Sequence, residues 1–97
     1  MVYCKLMINY KSLNMILIYT SNWCGYCTAA KNLLEELKLD YKEINIEEEN
    51  ITRQMLLDLS GGYTVPQIKI NDKFIGGYDT LQNLYQNNKL LDLVNEK

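Results

Sequence analysis

A chain of 97 residues makes one domain, long enough for a two-layer core. With 47% apolar and 23% charged residues it has the make-up of an ordinary globular protein, which excludes a disordered or fibrous chain. A net charge of −2 leaves no basic footprint for nucleic acid or anionic lipid, and the lack of histidine excludes Cys–His nucleophile pairs and Cys₂His₂ zinc sites within the chain.

Residues 1–14 carry Lys5 and Lys11 and no acidic side chain, and the apolar run Leu6-Met7-Ile8 is too short for a secretory or membrane segment. Met15 stands directly before the first strand pattern and is a candidate natural start. The expected domain is therefore 15–97, preceded by a 1–14 extension, in a cytoplasmic protein without a membrane partner. Met15–Thr20 reads as an apolar strand, and Ala30, Leu33, Leu34 and Leu37 mark one face of a helix over Tyr26–Leu39. Between them lies Trp23-Cys24-Gly25-Tyr26-Cys27. A Cys-x-x-Cys at a strand-to-helix junction sets the first sulfur beside the unpaired N–H groups of the first turn, where a thiolate is favoured, and sets the second one turn on. The spacing suits a small disulfide, hence a redox couple. The third cysteine, Cys4, reads as a free thiol, and an odd count argues against a secreted disulfide framework.

Tyr41–Ile46 alternates polar and apolar residues, with Ile44 and Ile46 on one face, and returns beside the first strand as a parallel βαβ unit. Glu47-Glu48-Glu49 sits where negative charge suits the start of the next helix, which Ile51, Met55, Leu56 and Leu59 mark and Gly61-Gly62 stops. Val65–Ile70 and Lys73–Ile75 flank Asn71-Asp72 as an antiparallel hairpin, ended by Gly76-Gly77. Leu81, Leu84 and Tyr85 mark another helix, and Leu90, Leu91, Leu93 and Val94 a last amphipathic turn or two. The order β-α-β-α-β-β-α is α/β: a mixed four-stranded sheet flanked by helices, the thioredoxin-like arrangement.

Three separated motifs, Trp23-Cys24-Gly25-Tyr26-Cys27, Thr64-Val65-Pro66 and Gly76-Gly77-Tyr78-Asp79, give residues 15–97 a resemblance to the glutaredoxins. A half zinc site is the bland reading of the cysteines, but no second Cys-x-x-Cys completes it. Cys24, nearer the helix end, is the candidate nucleophile; Cys27, covered by its own turn, is the candidate resolving thiol. Glycine stands at position 25 where the family often has proline, freeing φ and adding an N–H that can point at the Cys24 sulfur. The resemblance implies that Tyr26 flanks bound glutathione. It also implies a cis Pro66, the only proline of the chain, with the Val65 backbone turned to pair with the cysteinyl unit like a short added strand. Thr64 completes that motif.

Gly77 and its neighbour allow a ligand close to the backbone, and the resemblance brings Asp79 to the γ-glutamyl ammonium; Asp79 equally reads as a cap for a helix beginning at Thr80 or Leu81. Tyr78 replaces the usual cysteine or serine. For the glycine carboxylate of glutathione, the family's lysine three residues before Cys24 is Ser21 here, and its second contributor falls on Arg53, eleven residues before Thr64. Arg53 can grip a carboxylate bidentately, or be a solvated helix-face charge. The implied function is glutathione-dependent reduction of protein disulfides and glutathione mixed disulfides, by a monomer that needs glutathione as co-substrate. Two alternatives stand beside it. One is a [2Fe–2S] carrier dimer, with Cys24 of each subunit and two glutathione thiols as ligands. The other is a glutaredoxin-like electron donor served by a flavin reductase, against which Arg53, Thr64 and Asp79 speak.

Overall fold

Alternation along Ile16-Leu17-Ile18-Tyr19 decides the architecture. The computed structural model describes residues 16–95; the 1–14 extension, Cys4 and the expected strand start at Met15 lie outside them. As strand β1 (Ile16–Thr20), this run sends Ile16 and Ile18 to one face and Leu17 and Tyr19 to the other, so both faces need covering. Strand β2 (Lys42–Asn45) pairs with β1 in parallel and β3 (Gln67–Ile70) pairs with it antiparallel. Strand β4 (Lys73–Gly76) runs antiparallel to β3, which makes a four-stranded sheet of order β2-β1-β3-β4.

Four helices lie among the described residues: α1 (Gly25–Glu36), α2 (Arg53–Ser60), α3 (Tyr78–Gln86) and α4 (Leu90–Val94). Ile16, Ile18, Ile68 and Ile70 of the sheet pack with Ala30 and Leu34 of α1, Leu81 of α3, and Leu90 and Val94 of α4. On the opposite face Tyr19 and Ile46 pack with Leu56 of α2. This is the thioredoxin-like α/β arrangement expected, with α4 closing it.

The ends of the elements differ from expectation for local reasons. Helix α1 stops at Glu36 rather than Leu39, because Lys38 turns into the left-handed region at φ 59°. The N–H groups of Lys38 and Leu39 then donate to Glu35 and Leu34 carbonyls at 3.0 and 2.9 Å, and Leu39 folds back onto the core, a Schellman end with its apolar contact. The Glu47–Glu49 run is not the first turn of α2. Asn45 Oδ1 accepts the N–H groups of Glu47 and Glu48 at 2.9 and 3.2 Å and ties the run into a turn. The helix starts later, where Thr52 Oγ1 accepts the Met55 N–H at 3.1 Å as an N-cap. Of the apolar residues expected to mark α2, Leu56 is buried while Met55 and Leu59 are exposed.

The hairpin turn holds Asn71 and Asp72 at φ 50° and 71°, the type I′ conformation that matches the twist of the strands. Asn71 Nδ2 donates to the carbonyls of Leu93 and Val94 at 3.2 and 2.8 Å, which ties the turn to the end of α4. Helix α3 begins at Tyr78 with Gly77 as its N-cap. Asp79 therefore does not cap the helix; it sits in the first turn, where its charge still suits the dipole.

The division into buried and exposed apolar positions is directly measurable. Leu34→Ala should lower unfolding free energy by about 2–5 kcal/mol and Leu59→Ala by no more than about 0.5 kcal/mol, read from urea denaturation.

Candidate active site

The end of β1 and the start of α1 set the reactive pair. Leaving the sheet at Thr20, the chain makes a tight turn in which Trp23 adopts φ 60° with its indole fully exposed. Cys24 follows in an extended conformation (φ −116°, ψ 105°) as the N-cap of α1. Helix N-termini leave their first N–H groups without carbonyl partners, and here one is taken by sulfur: the Cys27 N–H donates to Cys24 Sγ at 3.1 Å. The donor is thus Cys27 rather than Gly25, the residue to which the sequence pointed. Cys24 and Cys27 are joined as a disulfide with Cα atoms 5.2 Å apart. Cys24 is half-buried, whereas Cys27 retains 2% exposure. The sulfur open to attack is that of Cys24.

The distant motifs converge on this pair. The Val65–Pro66 bond is cis, and the Val65 carbonyl oxygen lies 3.8 Å from Cys24 Sγ. Buried Gln67 braces the segment from beneath by donating its side-chain N–H to the Thr64 carbonyl at 2.9 Å. A Cβ at Gly77 would stand 3.3 Å from the Pro66 carbonyl oxygen, so glycine is what lets the two segments approach. Tyr78, the next residue, stacks on Tyr26 of α1 with ring centroids 6.1 Å apart and planes at 28°. Arg53 extends Nη1 to the Tyr63 carbonyl at 3.0 Å, next to exposed Thr64. Asp79 is exposed in the first turn of α3. Contacts therefore join Cys24 with Val65, Pro66 with Gly77, and Tyr26 with Tyr78; Arg53 is tied to the Tyr63 carbonyl, and Asp79 follows Tyr78 in the first turn of α3.

A second set of side chains was not singled out from the sequence. On the side of α1 that faces β2, a polar cavity of about 560 Å³ reaches both cysteines and is lined by Asn22, Lys31, Glu43 and Asn45. Lys31 Nζ pairs with Glu43 at 3.1 Å, buried Thr20 donates Oγ1 to the same carboxylate at 2.7 Å, and Asn45 Nδ2 donates to Asn22 Oδ1 at 3.0 Å. The hydroxyl of Thr20, then the Lys31 ammonium, hold the Glu43 carboxyl below its ordinary range against the opposing effect of burial. The i,i+4 spacing of Cys27 and Lys31 was legible, but Glu43, the partner of Lys31, is brought in by the parallel β1–β2 register.

With this geometry in view, the sequence model of the family described as glutaredoxin matches residues 16–75. The chain belongs to the glutaredoxin family. It is 36% identical over 86 residues to the mitochondrial glutaredoxin-2 of Pongo abelii, covering 86% of this chain and 53% of that protein. It is 40% identical over 75 residues to a glutaredoxin of Pseudomonas aeruginosa, covering 77% of this chain and 89% of that one. The chain thus spans about half the length of the mitochondrial relatives it matches. Among solved structures, the buckwheat glutaredoxin–glutathione complex superposes with a TM-score of 0.76 at 26% identity, covering 91% of this chain and 86% of that one. The glutaredoxin dithiol, a Cys-x-x-Cys at the head of a helix, is present as the Cys24–Cys27 pair.

The Glu43 interactions make a signed prediction. A carboxyl depressed in the folded state stabilises the fold above the unfolded carboxyl range and loses that contribution as pH falls through its lowered folded value. Glu43→Gln should therefore be less stable than the parent at neutral pH, modestly so because the carboxylate is partly exposed, and the gap should close in acid. Thermal melts from pH 7 to pH 2 read the convergence; a gap that widens in acid would contradict the assignment.

Proposed function

We propose that this chain is a glutathione-dependent thiol–disulfide oxidoreductase acting through Cys24, with Cys27 resolving. The observation that carries the reading is the sulfur of Cys24 at the N-cap of α1, held by the Cys27 N–H at 3.1 Å and faced by the Val65 carbonyl at 3.8 Å. When the disulfide opens, the same N–H and the helix dipole stabilise negative charge on Cys24, which makes it the attacking and the leaving sulfur of the pair. Burial of Cys27 suits a thiol that meets only its neighbour.

With a glutathionylated protein, the Cys24 thiolate attacks the glutathione sulfur of the mixed disulfide; a Cys24–glutathione disulfide forms and the protein thiolate leaves. The thiolate of a second glutathione attacks that bond, regenerates Cys24 and departs within glutathione disulfide. With a protein disulfide, Cys24 forms the mixed disulfide and the Cys27 thiolate displaces the substrate sulfur, closing the Cys24–Cys27 bond seen here; two glutathiones then reopen it.

The proposed glutathione seat uses Tyr26, Arg53, Thr64, Val65, Pro66, Gly77, Tyr78 and Asp79 around Cys24. Support comes from the contacts joining Cys24 to Val65, Pro66 to Gly77 and Tyr26 to Tyr78, and from the glutathione complex of the buckwheat relative. Val65 offers its backbone to the cysteinyl unit, Arg53 its guanidinium to the glycine carboxylate and Asp79 its carboxylate to the γ-glutamyl ammonium. The stacked Tyr26 and Tyr78 form one wall. Protein disulfides and glutathionylated proteins are the proposed partners. The cytoplasm is the proposed compartment, in keeping with a low, odd cysteine count. A [2Fe–2S] cluster takes four ligands, and the described residues of one chain bring together two sulfurs, one of them buried. In the dimer alternative each chain would supply only Cys24, the less buried of the two sulfurs, and bound glutathione the remaining thiolates, so that reading stands as the second one.

Two measurements test the reading. Cys24→Ser should abolish all turnover, while Cys27→Ser should keep deglutathionylation and lose reduction of protein disulfides in a glutathione-coupled assay; the reverse pattern would exchange the roles. Arg53→Ala and Asp79→Ala should each weaken apparent affinity for glutathione or its mixed disulfide by about 1–3 kcal/mol, with a smaller change in maximal rate. Unaltered affinity in both variants would remove these residues from the seat and favour the donor served by a flavin reductase.

A further inference from the structure

The polar cavity beside the disulfide is lined by Cys24 and Cys27 but by none of the other residues proposed for the glutathione seat. Its charged lining is one pair, Lys31 from α1 and Glu43 from β2; Ser21, Asn22, Thr28 and Asn45 are neutral. Beyond the cavity, Asp79 on α3, the helix packed beside α1, follows Tyr78 of the Tyr26–Tyr78 stack in the chain. Cys24, Cys27 and Lys31 follow one another at spacings of three and four residues, so they share a single stripe of α1. Glu43 meets Lys31 from β2, tethered to Thr20 on β1. The ammonium is thus carried by the helix that carries the sulfurs, and the carboxylate, from the neighbouring strand, is its anchor.

We propose that the Lys31–Glu43 pair sets the redox equilibrium of the Cys24–Cys27 disulfide, with the Lys31 ammonium favouring the reduced form. This rests on the reading that the pair cycles between disulfide and dithiol. Reduction by two glutathiones breaks the Cys24–Cys27 bond, forms glutathione disulfide, and yields a Cys24 thiolate, a Cys27 thiol and one proton released to solvent. The protein thus gains a negative charge at the cavity mouth in the reduced state alone. An ammonium there stabilises the reduced form and does little for the neutral disulfide. The Glu43 carboxylate acts in the opposite sense, while its bonds hold the Lys31 ammonium in the cavity lining. Lys31 is a positioning residue for the charge balance of the pair and touches neither substrate nor glutathione in this account.

The test is equilibrium and not rate. The full chain is equilibrated at pH 7 and low salt in graded mixtures of glutathione and glutathione disulfide, and in parallel in reduced and oxidised dithiothreitol. Thiols are trapped by alkylation and counted by mass. Lys31→Met should lower the equilibrium constant for reduction by about threefold, as expected of one partly screened charge near the sulfur. Glu43→Gln should raise it, and Lys31→Arg should restore the parent value. In about 1 M salt, where screening acts within about 3 Å, the differences should shrink. Opposite signs at the two positions and salt sensitivity are effects that loss of packing would not produce. Coincident curves for the parent and Lys31→Met, or shifts of the same sign in Lys31→Met and Glu43→Gln, overturn the proposal. If the parent equilibrates with dithiothreitol but not with glutathione, the proposed function fails while the charge effect is still read. If the parent cycles with glutathione and the variants coincide with it, the inference fails alone.

Discussion

A single contact organises the active end of the molecule: the Cys27 N–H donating to the sulfur of Cys24 at 3.1 Å. A helix must find partners for its first N–H groups, and proteins usually supply an oxygen from serine, threonine or aspartate. Here the partner is the reactive atom itself. Helix stability and thiolate stability are consequently one requirement, met by the same bond. The cap position also fixes what remains covered: one turn on, Cys27 faces into the fold, so the two chemically identical side chains acquire different surroundings.

The sheet explains why segments far apart in the chain meet there. The antiparallel register sets Tyr19 opposite Gln67, so Pro66, immediately before β3, arrives beside the last residues of β1. The hairpin then returns the chain until Gly76 lies opposite Ile68, which carries Gly77 to the Pro66 carbonyl. The two-faced burial of β1 holds this register, because a slip of one residue would turn Ile16 and Ile18 to the α2 face and Tyr19 to the other. Three motifs at one end of a four-stranded sheet are thus a consequence of strand pairing and need no side-chain bonds between them.

Element type and order were legible because the governing signals are local. The alternation in β1, the Asn71-Asp72 turn and the Ala30–Leu34 spacing each act within a few residues. Ends were less legible, since they depend on competition. Thr52 captured the start of α2 from the Glu47–Glu49 run once Asn45 had folded that run into a turn. Lys38, a residue with no special liking for the left-handed region, ended α1 because Leu39 had a place in the core. At the active site, Cys24 and Cys27 could be read with their inequality, whereas the Thr20–Glu43–Lys31 network could not. It joins residues from two strands and a helix, and only the parallel register brings them together. The Tyr26–Tyr78 stack is of the same kind: both tyrosines were singled out, but their contact depends on how α1 and α3 pack.

The Asn71 side chain, with its amide on the Leu93 and Val94 carbonyls, lies at the end of β3 away from Pro66. Helix α4 has five residues, too few to persist by its own hydrogen bonds. Its order is borrowed from the hairpin turn and from the pocket that takes Leu90 and Val94. Turn and helix therefore form one patch held by shared contacts, and a common opening event is the expected route by which its amides exchange with solvent. Such an opening would loosen the rear of the sheet and leave the head of α1 folded, so the molecule can breathe at one pole while its sulfurs keep their alignment at the other.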